Sequence, residues 1–135
     1  MPDIVDARPL RSLRCDVLVV GGGAAGVAAA VTAARQGLQV TLVERYGFCG
    51  GGAVAGLSGT VCGLYLASDG VHRPEQVIQG FAAEFVRLLE ERNGLGKPVR
   101  YGKTYTRVHD PLVWRETADQ LLRAAGVRLL LHTLV

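Results

Sequence analysis

The apolar positions of this chain change period twice within its first forty-odd residues. Asp16–Val20 contains a short β-branched apolar run, the pattern of a strand buried on both faces. Glycines 21–23 break it. From Ala25 to Gln36 the period becomes helical, with Val27, Ala30, Val31 and Ala34 on one face and Gly37 placed to end the helix. Leu38–Val43 reads as a second strand, with Glu44 at its carboxyl end.

Beyond Arg45 a loop rich in small residues runs to about Asp69. Pro74 is expected to open the next helix, carrying an apolar stripe of Ile78, Phe81, Ala82, Phe85, Leu88 and Leu89, with Asn93-Gly94 as its stop. Residues 95–109 read as irregular and basic. Asp110-Pro111 is an N-cap followed by an N1 proline. Trp114, Ala118, Leu121, Leu122 and Ala125 form the buried face of that helix, which Gly126 ends. Val127–Leu131 is a third strand run.

Strands alternating with helices predict an α/β fold: a Rossmann-like FAD/NAD(P)-binding domain whose parallel sheet has strand order 3-2-1. That order leaves the first strand as an open apolar edge just where the sequence stops. The chain is therefore expected to be a partial domain, incomplete at its C-terminus. Residues 1–14 form a lead-in, and residues 15–135 form the domain, with a helical insertion at about 70–110.

Length and composition narrow the class. The 135 residues allow one modest core, and 49% apolar against 20% charged residues describes a folded domain. A formal charge of +3 without a basic stripe gives no case for nucleic acid. The uncharged stretch 17–34 superficially resembles a membrane span. It consists mainly of Gly and Ala, however, and a run of three glycines costs a helix about 1 kcal/mol each, so strand–turn–helix is the reading taken. Three cysteines with no CxxC spacing fit neither a disulfide framework nor zinc, and place the chain in the cytoplasm.

Gly21-Gly22-Gly23-Ala24-Ala25-Gly26 fits GxGxxG between a strand and a helix, which is where that motif has a mechanism. Gly21 permits the turn, Gly23 admits a pyrophosphate to the main chain, and Gly26 lets helix and strand approach. The first-turn N–H groups then face the phosphates, with the helix dipole behind them. Glu44 stands near the expected spacing of about 20 residues, where a carboxylate accepts ribose hydroxyls and repels a 2′-phosphate. A second glycine cluster, Gly50-Gly51-Gly52, suits FAD, whose ribityl chain continues past the pyrophosphate. An NAD-binding dehydrogenase domain and a non-catalytic nucleotide-binding module stay open as alternatives.

The stretch VVGGGAAGVAAAVTAARQGLQVTLVERYGFCGGGAVAGLSG resembles the opening of FAD-dependent oxidoreductases with two dinucleotide-binding domains, the group that includes glutathione reductase and the fumarate reductase flavoprotein. It is more closely similar to a bacterial family with an ERxGxxGG stretch, a glycine-rich segment, a DP-initiated helix and an AGV-strand. The resemblance implies FAD as cofactor. It assigns Gly21, Gly22, Gly23, Ala24, Ala25, Gly26 and Glu44 to the ADP moiety, Arg45, Gly50 and Gly51 to the stretch nearer the flavin, and the backbone of Val135 to adenine. Members often carry a Thr where this chain has Val54, so no hydroxyl contact is expected there. A small-molecule substrate and a second electron donor or acceptor follow from the same resemblance.

Other candidates are weighed down by plainer readings. Cys49 and Cys62 are thirteen positions apart, unlike the closely spaced redox pair of the glutathione reductase relatives, and read as incidental thiols. Lys97, Arg100, Lys103 and Arg107, interleaved with Tyr101 and Tyr105, read as a solvated loop rather than an anion site. His72, His109 and His132 share no metal-ligand spacing. No acid, base or nucleophile is assigned.

Overall fold

The computed structural model describes residues 12–56, 58–70 and 72–135; most of the expected lead-in, residues 1–11, lies outside the described residues. The chain order is β1 (Val17–Val20), α1 (Ala24–Arg35), β2 (Val40–Val43), α2 (Gly52–Ala55), β3 (Thr60–Val61), α3 (Phe81–Glu91), β4 (Val99–Tyr101), β5 (Thr104–Val108), α4 (Pro111–Ala124) and β6 (Arg128–Leu130). Two sheets result. A parallel one has the order β1-β2-β6, and an antiparallel one the order β3-β5-β4.

In the parallel sheet Val17 pairs with Val40 and Val20 with Val43, while Val43 pairs with Leu130 on the other side. β2 is central, and all four of its residues are buried. β1 departs from the expectation of burial on both faces: Leu18 and Val20 are 55% and 62% exposed. It is an edge strand, and among the described residues only one face of it is packed against the core. α1 lies on β1 and β2 and meets α3 and α4. Val27, Ala30, Val31, Leu42, Phe85, Leu89, Ala118 and Leu122 form the main core. Burying a Val, Leu or Phe side chain contributes about 1.5–3 kcal/mol.

Sequence boundaries shift for local reasons. The second strand starts at Val40 rather than Leu38, because Gly37 holds a left-handed φ of 85° and Leu38 is carried out to solvent. Pro74 does not open α3. Residues 75–77 instead run beside 64–66, with Leu66 N–H donating to Glu75 O and Val77 N–H to Leu64 O. The helix begins after Gly80, whose φ of 67° turns the chain, and Ile78 is left half-exposed before it. Residues 95–109 are not irregular: they hold the β4–β5 hairpin, with Gly102 at φ 57° in its turn. A small second core of Leu64, Tyr65, Val86 and Tyr105 fixes this sheet to α3.

α4 starts where the sequence places it. Asp110 Oδ1 accepts the N–H groups of Leu112 and Val113, and Pro111 occupies the first turn. Among the described residues no helix is long and apolar enough to cross a membrane.

Candidate functional site

The site forms where β1 and β2 end. Gly21 takes φ 97°, a conformation that costs glycine nothing, and turns the chain directly into α1. A Cβ on Gly26 would collide with the Gly21 carbonyl oxygen, so that glycine is required by the closeness of helix to turn. Gly23 differs. Among the described residues a Cβ there would have only the Gly51 Cα, at 4.0 Å, within that distance.

Gly23 is also the N-cap of α1, and among the described residues no side chain caps the helix; its first turn contains no acidic residue. The first N–H groups of a helix have no intrahelical acceptor. Those of Ala24, Ala25 and Gly26 thus sit at the positive end of a twelve-residue helix, with Ala24 and Ala25 exposed. The arrangement suits an anion that approaches main chain closely.

Glu44 is 6% exposed. Its Oε2 accepts the Gly22 N–H at 2.6 Å and its Oε1 the Tyr46 N–H at 2.8 Å. The carboxylate therefore braces the glycine turn and lines the recess beside it. A carboxylate oxygen accepts more than one hydrogen bond, which leaves acceptor capacity for hydroxyls. Beside it lies an open recess of about 270 Å³, walled by Val20, Gly21, Val43, Glu44, Arg45 and the 133–135 segment, so Val135 joins the assembly at its rim. The Arg45 guanidinium rests over the Tyr46 ring at 4.6 Å, and Tyr46 stacks on Phe48 with centroids 5.4 Å apart.

The second glycine cluster docks on the first. Gly50 N–H donates to Gly22 O at 2.7 Å, and Gly23 and Gly50 form a parallel bridge. Gly50 and Gly51 have φ 127° and 52°, and a Cβ on Gly51 would stand 2.9 Å from the Gly23 Cα. All the residues expected at the cofactor are thus gathered at one end of the parallel sheet.

Three participants carry no clear sequence signal. Cys49 is buried beneath the turn, where its Sγ would be 2.7 Å from a Cβ on Gly22. Burial, reinforced by the Asp119 and Glu44 carboxylates, pushes its thiol up to about 12. His109 bonds to the Ala53 carbonyl. Thr133 N–H donates to Glu44 O and lines the recess. Cys62 directly follows β3, with its Sγ donating to Thr106 Oγ1, and Cys15, Cys49 and Cys62 are all free. Of the basic loop residues, Lys103 pairs with Asp69 at the surface, but Arg107 is buried and bonds Glu90, Gly96 O and Tyr65. The solvated reading fails for Arg107 because Glu90 neutralises it.

Comparison with known proteins decides the family. A family model described as FAD dependent oxidoreductase matches residues 16–135. The chain belongs to the FAD-dependent oxidoreductase family. The chain is 31% identical over 126 residues to the sarcosine oxidase subunit alpha of Corynebacterium sp. (strain P-1), a match covering 82% of this chain and 12% of that protein. It is 56% identical over 41 residues to 4-oxocyclohex-2-ene-1-carboxylate 5-dehydrogenase of Sinomonas cyclohexanicum, covering 30% of this chain and 7% of the relative. The chain therefore spans only a small part of the curated relatives it matches. Among solved structures, a flavocytochrome c3 fumarate reductase superposes with a TM-score of 0.54 at 21% identity, over 87% of this chain and 26% of that one. THI4 of Thermovibrio ammonificans gives 0.50 at 21% identity, over 87% and 38%. Both share the fold.

Proposed function

We propose that residues 15–135 form the ADP-binding portion of a flavoprotein oxidoreductase and hold FAD across the ends of β1 and β2. In this reading β6-β2-β1 is the 3-2-1 half of a Rossmann-like sheet. The observation that carries it is the uncapped α1 terminus behind Gly23, next to a buried acid at the end of β2.

Each group has a part. Gly21, Gly22 and Gly23 bring bare main chain to the diphosphate, and the N–H groups of Ala24, Ala25 and Gly26 oppose its charge. Glu44 accepts the ribose hydroxyls of an unphosphorylated adenosine, and Val135 bounds the adenine recess. Arg45, Gly50 and Gly51 flank the cofactor on its way to the flavin, and Val54 adds no hydroxyl. A bound flavin supplies hydride or electron transfer, and the protein supplies position and electrostatics. A small-molecule substrate and a second electron donor or acceptor complete the reaction. Three unpaired cysteines, one on the surface, suit a reducing cytoplasm.

Purification tests this directly. Yellow protein that releases FAD on denaturation is the expected result. Colourless protein that binds NAD but not FAD, or neither, overturns it.

A further inference from the structure

We propose that His109 is a positioning residue for the cofactor-lining turn Gly50–Gly51, acting through α2; the inference rests on the FAD reading above. α2 has four residues, too few to hold a helical conformation unaided. Its own bonds are Ala53 N–H to Gly50 O, Val54 N–H and Ala55 N–H to Gly51 O, and Gly56 N–H to Gly52 O. α2 packs on α4, and one side chain from outside the turn bonds to it: His109 Nε2 lies 2.7 Å from Ala53 O.

A carbonyl oxygen only accepts, so Nε2 carries the proton and the ring is held as a donor. The ring is 5% exposed and packs on Trp114 with centroids 4.9 Å apart. The backbone fixes it further, since His109 N–H donates to Gly59 O at 3.0 Å and Asp110 N–H to Gly94 O at 2.9 Å. Trp114 also approaches the turn directly: its Cδ1 would be 3.2 Å from a Cβ on Gly50. His109 and Trp114 of the α4 entry thus support α2 from behind, and α2 presents Gly51 to Gly23 across a gap that a single Cβ would close. His109 sets where the second glycine turn stands relative to the first.

The histidine Nδ1 is buried with no hydrogen-bond partner among the described residues. A purely structural role would be served by an apolar ring-sized side chain, which leaves no such atom unsatisfied; the donor to Ala53 is what distinguishes histidine here. A glutamine places an amide N–H near the Nε2 position and keeps the donor, whereas leucine fills the space without one.

The test compares wild type, His109→Leu and His109→Gln in the full-length protein containing this chain, reading FAD affinity by titration of the stripped protein and amide exchange over 50–56 without cofactor. Expected is a rise of about tenfold or more in the FAD dissociation constant for His109→Leu, with His109→Gln within about threefold of wild type. Exchange at Gly50 and Ala53–Gly56 should quicken in the leucine variant alone. Equal weakening in both variants alongside a common fall in melting temperature overturns the proposal, as does a leucine variant indistinguishable from wild type in both readouts. If wild type binds no FAD, the cofactor reading fails, and the exchange measurement still decides whether His109 positions the turn.

Discussion

Glu44 Oε2 and the Gly22 main-chain N–H meet at 2.6 Å, so the acid at the end of β2 grips the turn that follows β1. The other oxygen takes Tyr46 N–H. One carboxylate therefore sets the spacing between the glycine turn and the segment leading away from β2.

This double role predicts that Glu44→Gln is not a pure binding mutation. A carboxamide has one acceptor oxygen and one NH₂ group, so one of the two backbone N–H groups must face a donor. Leaving a buried donor unsatisfied costs about 1–3 kcal/mol. The variant should lose stability without cofactor, and FAD affinity should fall moderately as well. Thermal unfolding of stripped protein checks the first part. An unchanged melting temperature would show that the brace contributes nothing.

Gly23 borders open space, whereas Gly26 is packed against the Gly21 carbonyl. Gly23→Val should abolish FAD retention while the stripped protein still folds, because its added atoms enter a side where, among the described residues, only Gly51 Cα is near. Gly26→Val should fail to fold, since its Cβ alone overlaps the Gly21 carbonyl. Circular dichroism and bound flavin, measured on both variants, report the two effects. FAD retained by Gly23→Val would remove that turn from the site.

The glycine turn, α1, Glu44 and the capped α4 were legible because each announces itself locally: a motif, a helical period, Asp110 before Pro111. The antiparallel sheet was not. Its hairpin signal, Gly102-Lys103 between VRY and TYTRV, is overlaid by four basic residues that suggest solvent, and Arg107 is buried only because Glu90, seventeen positions earlier, reaches it. The start of α3 was misread because the apolar stripe extends back to Ile78, whereas Gly80 interrupts the helix there. His109 was unreadable for a similar reason: its partner is a main-chain oxygen fifty-six residues away. Pairings set by tertiary approach leave no period in the sequence.

Between α1 and α3, Arg35 donates two hydrogen bonds to Glu84, at 2.6 and 2.8 Å. The hydrogen bond from Arg35, aided by its charge, holds the Glu84 carboxyl below its ordinary value near 4.5. A lowered carboxyl pKa stabilises the fold above the unfolded value, and that contribution is lost as pH falls through the folded one. Both side chains are partly exposed, so the pair contributes only about 0.2–1 kcal/mol. Glu84→Gln should reduce stability slightly at pH 7 and by progressively less below pH 4.5. A double-mutant cycle with Arg35→Met in denaturant measures it, and coupling insensitive to pH and salt would contradict the assignment.

Cys49 makes the opposite pH prediction. Its thiol is raised from about 9 to about 12, first by burial and then by the Asp119 and Glu44 carboxylates. The folded chain therefore retains a proton that the unfolded chain gives up. The stability linked to this group is complete below pH 9 and declines as pH climbs toward 12. At pH 8 Cys49 should stay protonated and closed to a thiol reagent, which reacts as thiolate, while exposed Cys62 is labelled. Denaturant should release Cys49 together with the unfolding transition, because its Sγ lies under Gly22 and is uncovered only when the turn parts from β2. Cys49→Ser keeps the size but puts a hydroxyl where the thiol is buried, at about 1–3 kcal/mol if unpaired. Cys49→Ala avoids that polar cost and should flatten the decline between pH 9 and 11. Prompt labelling of Cys49 in the folded protein at pH 8 would mean that the glycine turn opens far more readily than its hydrogen bonds to Glu44 and Gly50 allow.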